Sequence, residues 1–245
     1  MNEVNFDHTS IVLRDGRVLV IAGAQCDVIE IYDPKTETFK TVKYRYRRQD
    51  AAASIMQDGK VLISGGNDEI YNKILKQRER FTDTEIFDPK TDELKPAAKM
   101  NYYKYVSKSI LLNDGRVFIE GYSMAEIYDP VKDKFDYIDN KIEEITDKYI
   151  DIFKLKDGKV LMIGDIGGYG PHTDFNKTFG IFDPETNTVI LYKDKIKMPF
   201  NGNYAAVLLN DGETLAVIGG YNEACHVLKT ISLYNIYKII NNIQE

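Results

Sequence analysis

Five Asp-Gly pairs recur along the chain, at Asp15-Gly16, Asp58-Gly59, Asp114-Gly115, Asp157-Gly158 and Asp211-Gly212, spaced by 43, 56, 43 and 54 residues. Each stands between two short apolar runs, such as HTSIVL before and RVLVIAG after the first pair, or YAAVLL before and ETLAVIGG after the last. An Asp-Gly pair flanked this way is a strong hairpin signal, because the turn needs a positive φ that glycine adopts at least cost. Five such hairpins in one chain restrict it to a repeated, all-β architecture.

A second marker follows each hairpin. It reads IEIYDPKTETF over 29–39, TEIFDPKTDEL over 84–94, AEIYDPVKDKF over 125–135 and FGIFDPETNTV over 179–189. A short strand ends in Asp-Pro, a polar turn follows, and another strand begins. The fifth copy, ISLYNIYKI over 231–239, has Asn235 in place of the aspartate and lacks the proline. Each unit is therefore expected to hold four short antiparallel strands. One such unit has no room for its own core and must stack on its neighbours. A mean period of 49 residues suits a four-stranded blade. No run of ten residues or more has a convincing helical period; YNKILKQRERF, over 71–81, comes nearest and reads as an inserted loop with at most a short helical turn.

The chain resembles kelch repeats. The resemblance is carried by Gly65-Gly66 and Gly219-Gly220 at the end of the second strand, reduced to Ala22-Gly23, Glu120-Gly121 and Ile163-Gly164 in the other copies. It continues in the Glu-Ile-aromatic-Asp-Pro strand, and in Phe39, Leu94, Phe135 and Val189 where family members often carry tryptophan. It covers nearly the whole chain, from His8 to Tyr237. The resemblance implies an all-β, five-bladed β-propeller of four-stranded antiparallel blades. It is read as one domain over 1–245, with blades at about 8–47, 48–102, 103–146, 147–200 and 201–241. Kelch domains more often have six or seven blades. Five copies either close into a ring, giving a monomer, or leave an open ring completed by another chain, giving a dimer. Val4, Asn5 and Phe6 compete with 237–241 for the outer strand of the last blade.

The rest of the composition narrows the function classes. Thirty-eight acids against 32 bases, with a net charge of -6, argue against nucleic acid as a partner. Only Cys26 and Cys225 are present, too few for a disulfide framework. Residues 1–7 have no leader-like pattern and no 18-residue apolar run occurs, so a cytoplasmic chain without a membrane span is expected.

Strands in a blade alternate in direction. Turns one-two and three-four therefore share one end of each sheet, and these are the near-constant Asp-Gly and Asp-Pro turns. The other end carries two-three loops at 24–28, 67–83, 122–124, 165–177 and 221–229, and links at 43–50, 101–105, 140–148 and 195–203. These vary in length, and binding residues favour variable loops on a rigid scaffold.

Four groups stand out on that face. Arg45, Arg47 and Arg48, with Tyr44 and Tyr46, have the forks and ring faces to grip an acidic group, or are solvated charges of an exposed link. Tyr102, Tyr103 and Tyr105, around Lys104, suit hot-spot anchors or inter-blade packing. The loop DIGGYGPHTDFNK brings Asp165, Tyr169, His172 and Asp174 close in sequence, without the three or four ligands a metal needs. Cys26 and Cys225-His226 follow the second strands of the first and last units and most simply pack as small apolar groups. The glycine pairs lack the lysine and hydroxyl residue of a phosphate loop.

No nucleophile, base and acid set is evident, and no cofactor is implied. The expected function is a non-catalytic module that binds a protein or peptide on its variable face. A sugar-acid isomerase or other small-molecule enzyme acting at the channel mouth, with Arg48, His172 and Asn203 as a loose match to the isomerase, is the alternative class, and a carbohydrate-binding or structural propeller the third.

Overall fold

The computed structural model describes residues 7–21, 23, 28–43, 48–66, 82–102, 107–121, 124–138, 145, 149–165, 179–192, 201–221 and 226–241. The chain divides into two compact units, Met1–Tyr137 and Ile138–Glu245. Both are built from sheets in which sequential strands pair antiparallel.

The Asp-Gly hairpins form as expected, with glycine at positive φ. In the first, Leu13 N–H donates to the Arg17 carbonyl at 2.7 Å and Gly16 N–H to the Leu13 carbonyl at 3.0 Å. This is a three-residue loop, a type I turn closed by a left-handed glycine. Gly16, Gly59, Gly115 and Gly158 have φ of 89, 88, 92 and 87°. The preceding aspartates keep negative φ. Their Oδ1 atoms instead accept the N–H two residues on, from Arg17, Lys60, Arg116 and Lys159, at 3.0 to 3.1 Å. Aspartate thus fills the turn and glycine supplies its left-handed residue. The fifth hairpin is one residue longer, with Leu209 N–H reaching the Thr214 carbonyl.

The Asp-Pro turns use the same side-chain device. Asp33, Asp88, Asp129 and Asp183 accept the N–H two residues on at 2.8 to 2.9 Å. Each turn closes on a left-handed residue other than glycine: Glu37, Asp92, Asp133 or Asn187.

Unit one holds three four-stranded sheets. Sheet one is β1 (Thr9–Val12), β2 (Val18–Ile21), β3 (Val28–Asp33) and β4 (Thr38–Lys43). Sheet two is β5 (Ala52–Ile55), β6 (Val61–Ser64), β7 (Thr84–Asp88) and β8 (Glu93–Ala97). Sheet three is β9 (Ser107–Leu111), β10 (Val117–Gly121), β11 (Met124–Asp129) and β12 (Lys134–Tyr137). Alternation along each strand gives a sheet two apolar faces. Leu19, Ile21, Ile29 and Ile31 of sheet one pack on Val61, Ile63 and Phe87 of sheet two. From the other side of sheet two, Leu62 packs with Val117, Ile119, Tyr128 and Phe135 of sheet three. Sheet two is thus covered on both faces by sheets of its own kind.

Polar ties reinforce this stacking at the turn end. Arg14, just before the first Asp-Gly pair, donates to the carbonyls of Gln57 and Met56 in the second hairpin at 3.0 and 3.1 Å. Asp133 accepts from Ala98 N–H at 2.9 Å and from the Tyr128 hydroxyl at 2.8 Å, joining sheets two and three. Burial, together with the bond to Asp133, pushes the Tyr128 phenol well above its ordinary pKa. Asp92 receives Arg17 at 2.8 Å and Lys40 at 2.7 Å, both from sheet one.

Burial raises the pKa of Asp92, but the hydrogen bonds from Lys40 and Arg17 outweigh it and hold the carboxyl below the ordinary aspartate range. A depressed folded-state pKa stabilises the fold above the unfolded value, and that contribution is lost as pH falls through the folded one. Asp92→Asn should therefore flatten the acid limb. Below about pH 4, the ordinary aspartate value, the urea midpoint of the native chain should fall more steeply than the variant's; parallel curves would show the pair contributes nothing.

Unit two holds sheet four, β13 (Tyr149–Lys154), β14 (Val160–Asp165), β15 (Phe179–Asp183) and β16 (Thr188–Tyr192). Sheet five has three strands among the described residues, β17 (Asn201–Leu208), β18 (Thr214–Tyr221) and β19 (Ile231–Asn235). Leu161, Ile163, Phe179 and Ile181 of sheet four pack against Leu215 and Val217 of sheet five. Phe179 stacks on Tyr192 at 4.7 Å.

The expected outer strand over 237–241 is a helix instead, α1 (Ile236–Asn241). The physical reason is the lost Asp-Pro. Without proline the backbone after β19 is free to turn, and the Asn235 side chain accepts Lys238 N–H at 2.9 Å in the manner of an N-cap. Ile236, Tyr237, Ile239 and Ile240 then face the unit-two core. The competing segment, residues 4–6, lies outside the described residues. Among the described residues no helix is long and apolar enough to cross a membrane.

Candidate functional site

In sheets two, three and four the link meets the residue that lies three before the closing aspartate of the third strand. In sheet three this is Glu126, wholly buried. Its Oε2 accepts Asn101 N–H and Asn101 Nδ2, both at 2.8 Å, and its Oε1 accepts Tyr102 N–H at 3.0 Å. One carboxylate thereby clamps the backbone of the link before sheet three. Charge-assisted bonds of this kind are about twice as strong as neutral ones.

Tyr102 stands on this clamped link and is 38% exposed. Its ring meets Tyr137, 49% exposed, at 5.5 Å with a 51° tilt. Tyr137 is the cross-strand partner of Glu126. The same residue that fixes the link therefore sits beside both rings. The result is a pair of open aromatic faces on a fixed backbone.

Sheet two repeats the clamp with different chemistry. Arg48, read from the sequence as part of an exposed link, is fully buried. It donates through Nη1 to the Gly65 carbonyl at 2.8 Å and sets Nη2 3.8 Å from Glu85 Oε2. Glu85 occupies the place in β7 that Glu126 has in β11. Arg48 is thus withdrawn from the surface on which it was expected to grip a ligand. Gly66 lets the link pass: a Cβ there would lie 2.7 Å from the Gln49 carbonyl oxygen.

In sheet four the glutamate is replaced by Gly180. The vacated space belongs to Ile145, whose Cδ1 would be 2.6 Å from a Cβ at that glycine. Ile145 is fully buried. One slot in the repeat thus takes a charged link contact in sheets two and three and an apolar one in sheet four.

Of the other residues expected on this face, Tyr44, Arg45, Tyr46, Arg47, Tyr103, Tyr105, Tyr169 and His172 lie outside the described residues, as do Cys26, Cys225 and Asp174. Asn203 was expected in a link and belongs to β17, at a point where the pairing with β18 shifts register between Asn201 and Tyr204. The longer β17 draws that position into the sheet. His226 is exposed. Among the described residues no group of three or more His, Cys, Asp or Glu side chains is placed to hold a metal ion.

No family model matches this chain, and no curated protein aligns with it significantly. The repeated residues and the five antiparallel sheets they build show a repetitive, blade-like all-β architecture.

The turn end offers a second surface, a shallow groove of about 430 Å³ whose lining includes Arg14, Asp58, Lys60 and Lys90. Arg14 is committed to backbone carbonyls and Lys60 to Asp58 at 3.1 Å. These two cations are engaged within the hairpins themselves.

Tyr102 was expected on this face; Tyr137 was not, nor was the burial of Glu30, Glu85 and Glu126, which share one place in three third strands. A signal existed. A glutamate at the same place between apolar residues in three copies of a strand conflicts with burial unless it is bound.

Glu126→Ala should cost about 1–3 kcal/mol, the desolvation of the link donors it leaves unanswered. Glu126→Gln, keeping an acceptor, should recover part of that in the same urea titration. Equal losses in both variants would mean that charge, rather than accepting capacity, holds the link.

Proposed function

We propose that the five sheets are blades of a kelch-type propeller and that the chain is a non-catalytic module binding a protein or peptide on its link face. The observation that carries the reading is the Tyr102 and Tyr137 pair, open to solvent at 38% and 49% on a link fixed by a buried carboxylate. Tyrosine combines apolar area with a polar tip and gives up little side-chain entropy on contact. A backbone held before binding also removes the ordering cost that weakens flexible loops. Partners with an apolar or aromatic anchor flanked by polar groups fit such a pair best.

Selection of displayed peptides on the folded chain tests this. Enriched peptides should lose about tenfold or more in affinity for Tyr102→Ala and for Tyr137→Ala, with the melting curve unchanged for the more exposed Tyr137. No enrichment, or peptides indifferent to both substitutions, would sink the reading.

A further inference from the structure

Asn101 precedes Tyr102 on the link before sheet three and is itself exposed. Its side-chain Nδ2 donates twice, to Glu126 Oε2 at 2.8 Å and to the Phe135 carbonyl at 3.3 Å. A carboxylate and a backbone carbonyl only accept, so the carboxamide can sit just one way round and both of its N–H groups are used. The orientation of the amide is thereby fixed. Its oxygen, Oδ1, is left over as an acceptor, and among the described residues nothing donates to it.

The link does not need this side chain for its hold on sheet three. Glu126 also accepts the backbone N–H groups of Asn101 and Tyr102, at 2.8 and 3.0 Å. The link residues that meet the same place in sheets two and four, Arg48 and Ile145, are fully buried. Sheet three instead presents an oriented amide at the surface.

The oxygen matters because of the rings beside it. Tyr102 is the next residue, and Tyr137 lies two positions beyond the Phe135 carbonyl that holds the amide. In the free chain, water serves an exposed oxygen. Once a partner's side chain covers the rings, water is excluded from their border, and an acceptor left unanswered there weakens binding. Every residue of a peptide except proline brings a backbone N–H beside its side chain. Such a donor is present whatever the neighbouring sequence and immobilises no further side chain.

We propose that Asn101 is the specificity-determining polar residue of the link face, its Oδ1 accepting a backbone N–H of the bound peptide next to the side chain that covers the rings. The inference rests on the reading of Tyr102 and Tyr137 as a peptide site. It restricts the partner to an anchor with a free N–H beside it, which excludes proline at that position.

Peptides selected by display on the full chain, remade with one backbone N–H methylated at a time, test this. One methylation should weaken binding to the native chain by roughly tenfold or more. Against Asn101→Ala, which keeps both backbone bonds to Glu126, that penalty should vanish. If the variant does not fold, the carbon-13 resonance of the Asn101 carboxamide in the native chain decides: it should shift with the parent peptide and stay put with the methylated one. Three results overturn the inference while leaving the tyrosine pair as the site: binding indifferent to every methylation, a penalty that persists in folded Asn101→Ala, or a resonance that does not separate the two peptides. A selection that enriches no peptide defeats the site itself, and this inference with it.

Discussion

Replacing Arg48 by methionine is expected to cost about 3–5 kcal/mol of folding free energy, the range for breaking a buried ion pair by removing one partner. The chain length of the side chain is nearly kept, so lost packing is a small part of the effect. What is lost is the donor to the Gly65 carbonyl and the cation 3.8 Å from the buried Glu85 carboxylate. At 3.8 Å the contact with Glu85 is electrostatic rather than a hydrogen bond, but at 0% and 3% side-chain exposure little water screens it. Adding Glu85→Leu to Arg48→Met removes the stranded charge and should restore much of the loss, because apolar replacements of whole buried pairs are often neutral. Urea midpoints at constant slope measure both steps. A single variant within 1 kcal/mol of the native chain would mean that the link is held without Arg48.

Gly66→Ala should be the second most damaging of these changes. At φ of +88° an L side chain is already strained, by roughly 1–2 kcal/mol. The added methyl would also lie 2.7 Å from the Gln49 carbonyl oxygen, 3.1 Å from Arg48 Cβ and 3.3 Å from Ala51 Cα. Two of these are backbone atoms of the crossing link and cannot swing aside. Overpacking of this kind adds about 1–3 kcal/mol, for a total of about 2–5 kcal/mol. Gly16→Ala is the internal control. Its φ is +89° and nothing lies within 4 Å of the Cβ position, so only the conformational part should appear. If both substitutions cost the same, the glycine of the pair is required for its φ alone and the close crossing is irrelevant.

These two experiments probe what was hardest to read in advance. The strand-ending glycine pair was legible as a property of the repeat, but its cause, a link backbone lying across it, was not. Arg48 was grouped with Arg45 and Arg47 because three arginines within four residues look like one exposed patch. Its burial depends on a carboxylate 37 positions away in sequence, and no local pattern reports that distance. Tyr102 was visible as one of a run of tyrosines. The carboxylate that fixes its backbone and the ring it meets come from β11 and the end of β12, so the aromatic pair exists only when sheet three is assembled.

Sequence alone determined the local devices of this protein: five hairpins, the turns filled by aspartate side chains, the left-handed glycines, and the break in the last copy where Asn235 replaces aspartate. All of these follow from φ preferences and from side chains bonding their own backbone within a few residues. Only the tertiary structure decided what occupies the slot beneath the links of sheets two, three and four, that the last copy ends in a helix, and which apolar face of sheet five packs on sheet four. Both faces of that sheet are written in the same alternating aliphatic residues, and the difference between core and surface is made by what packs against them.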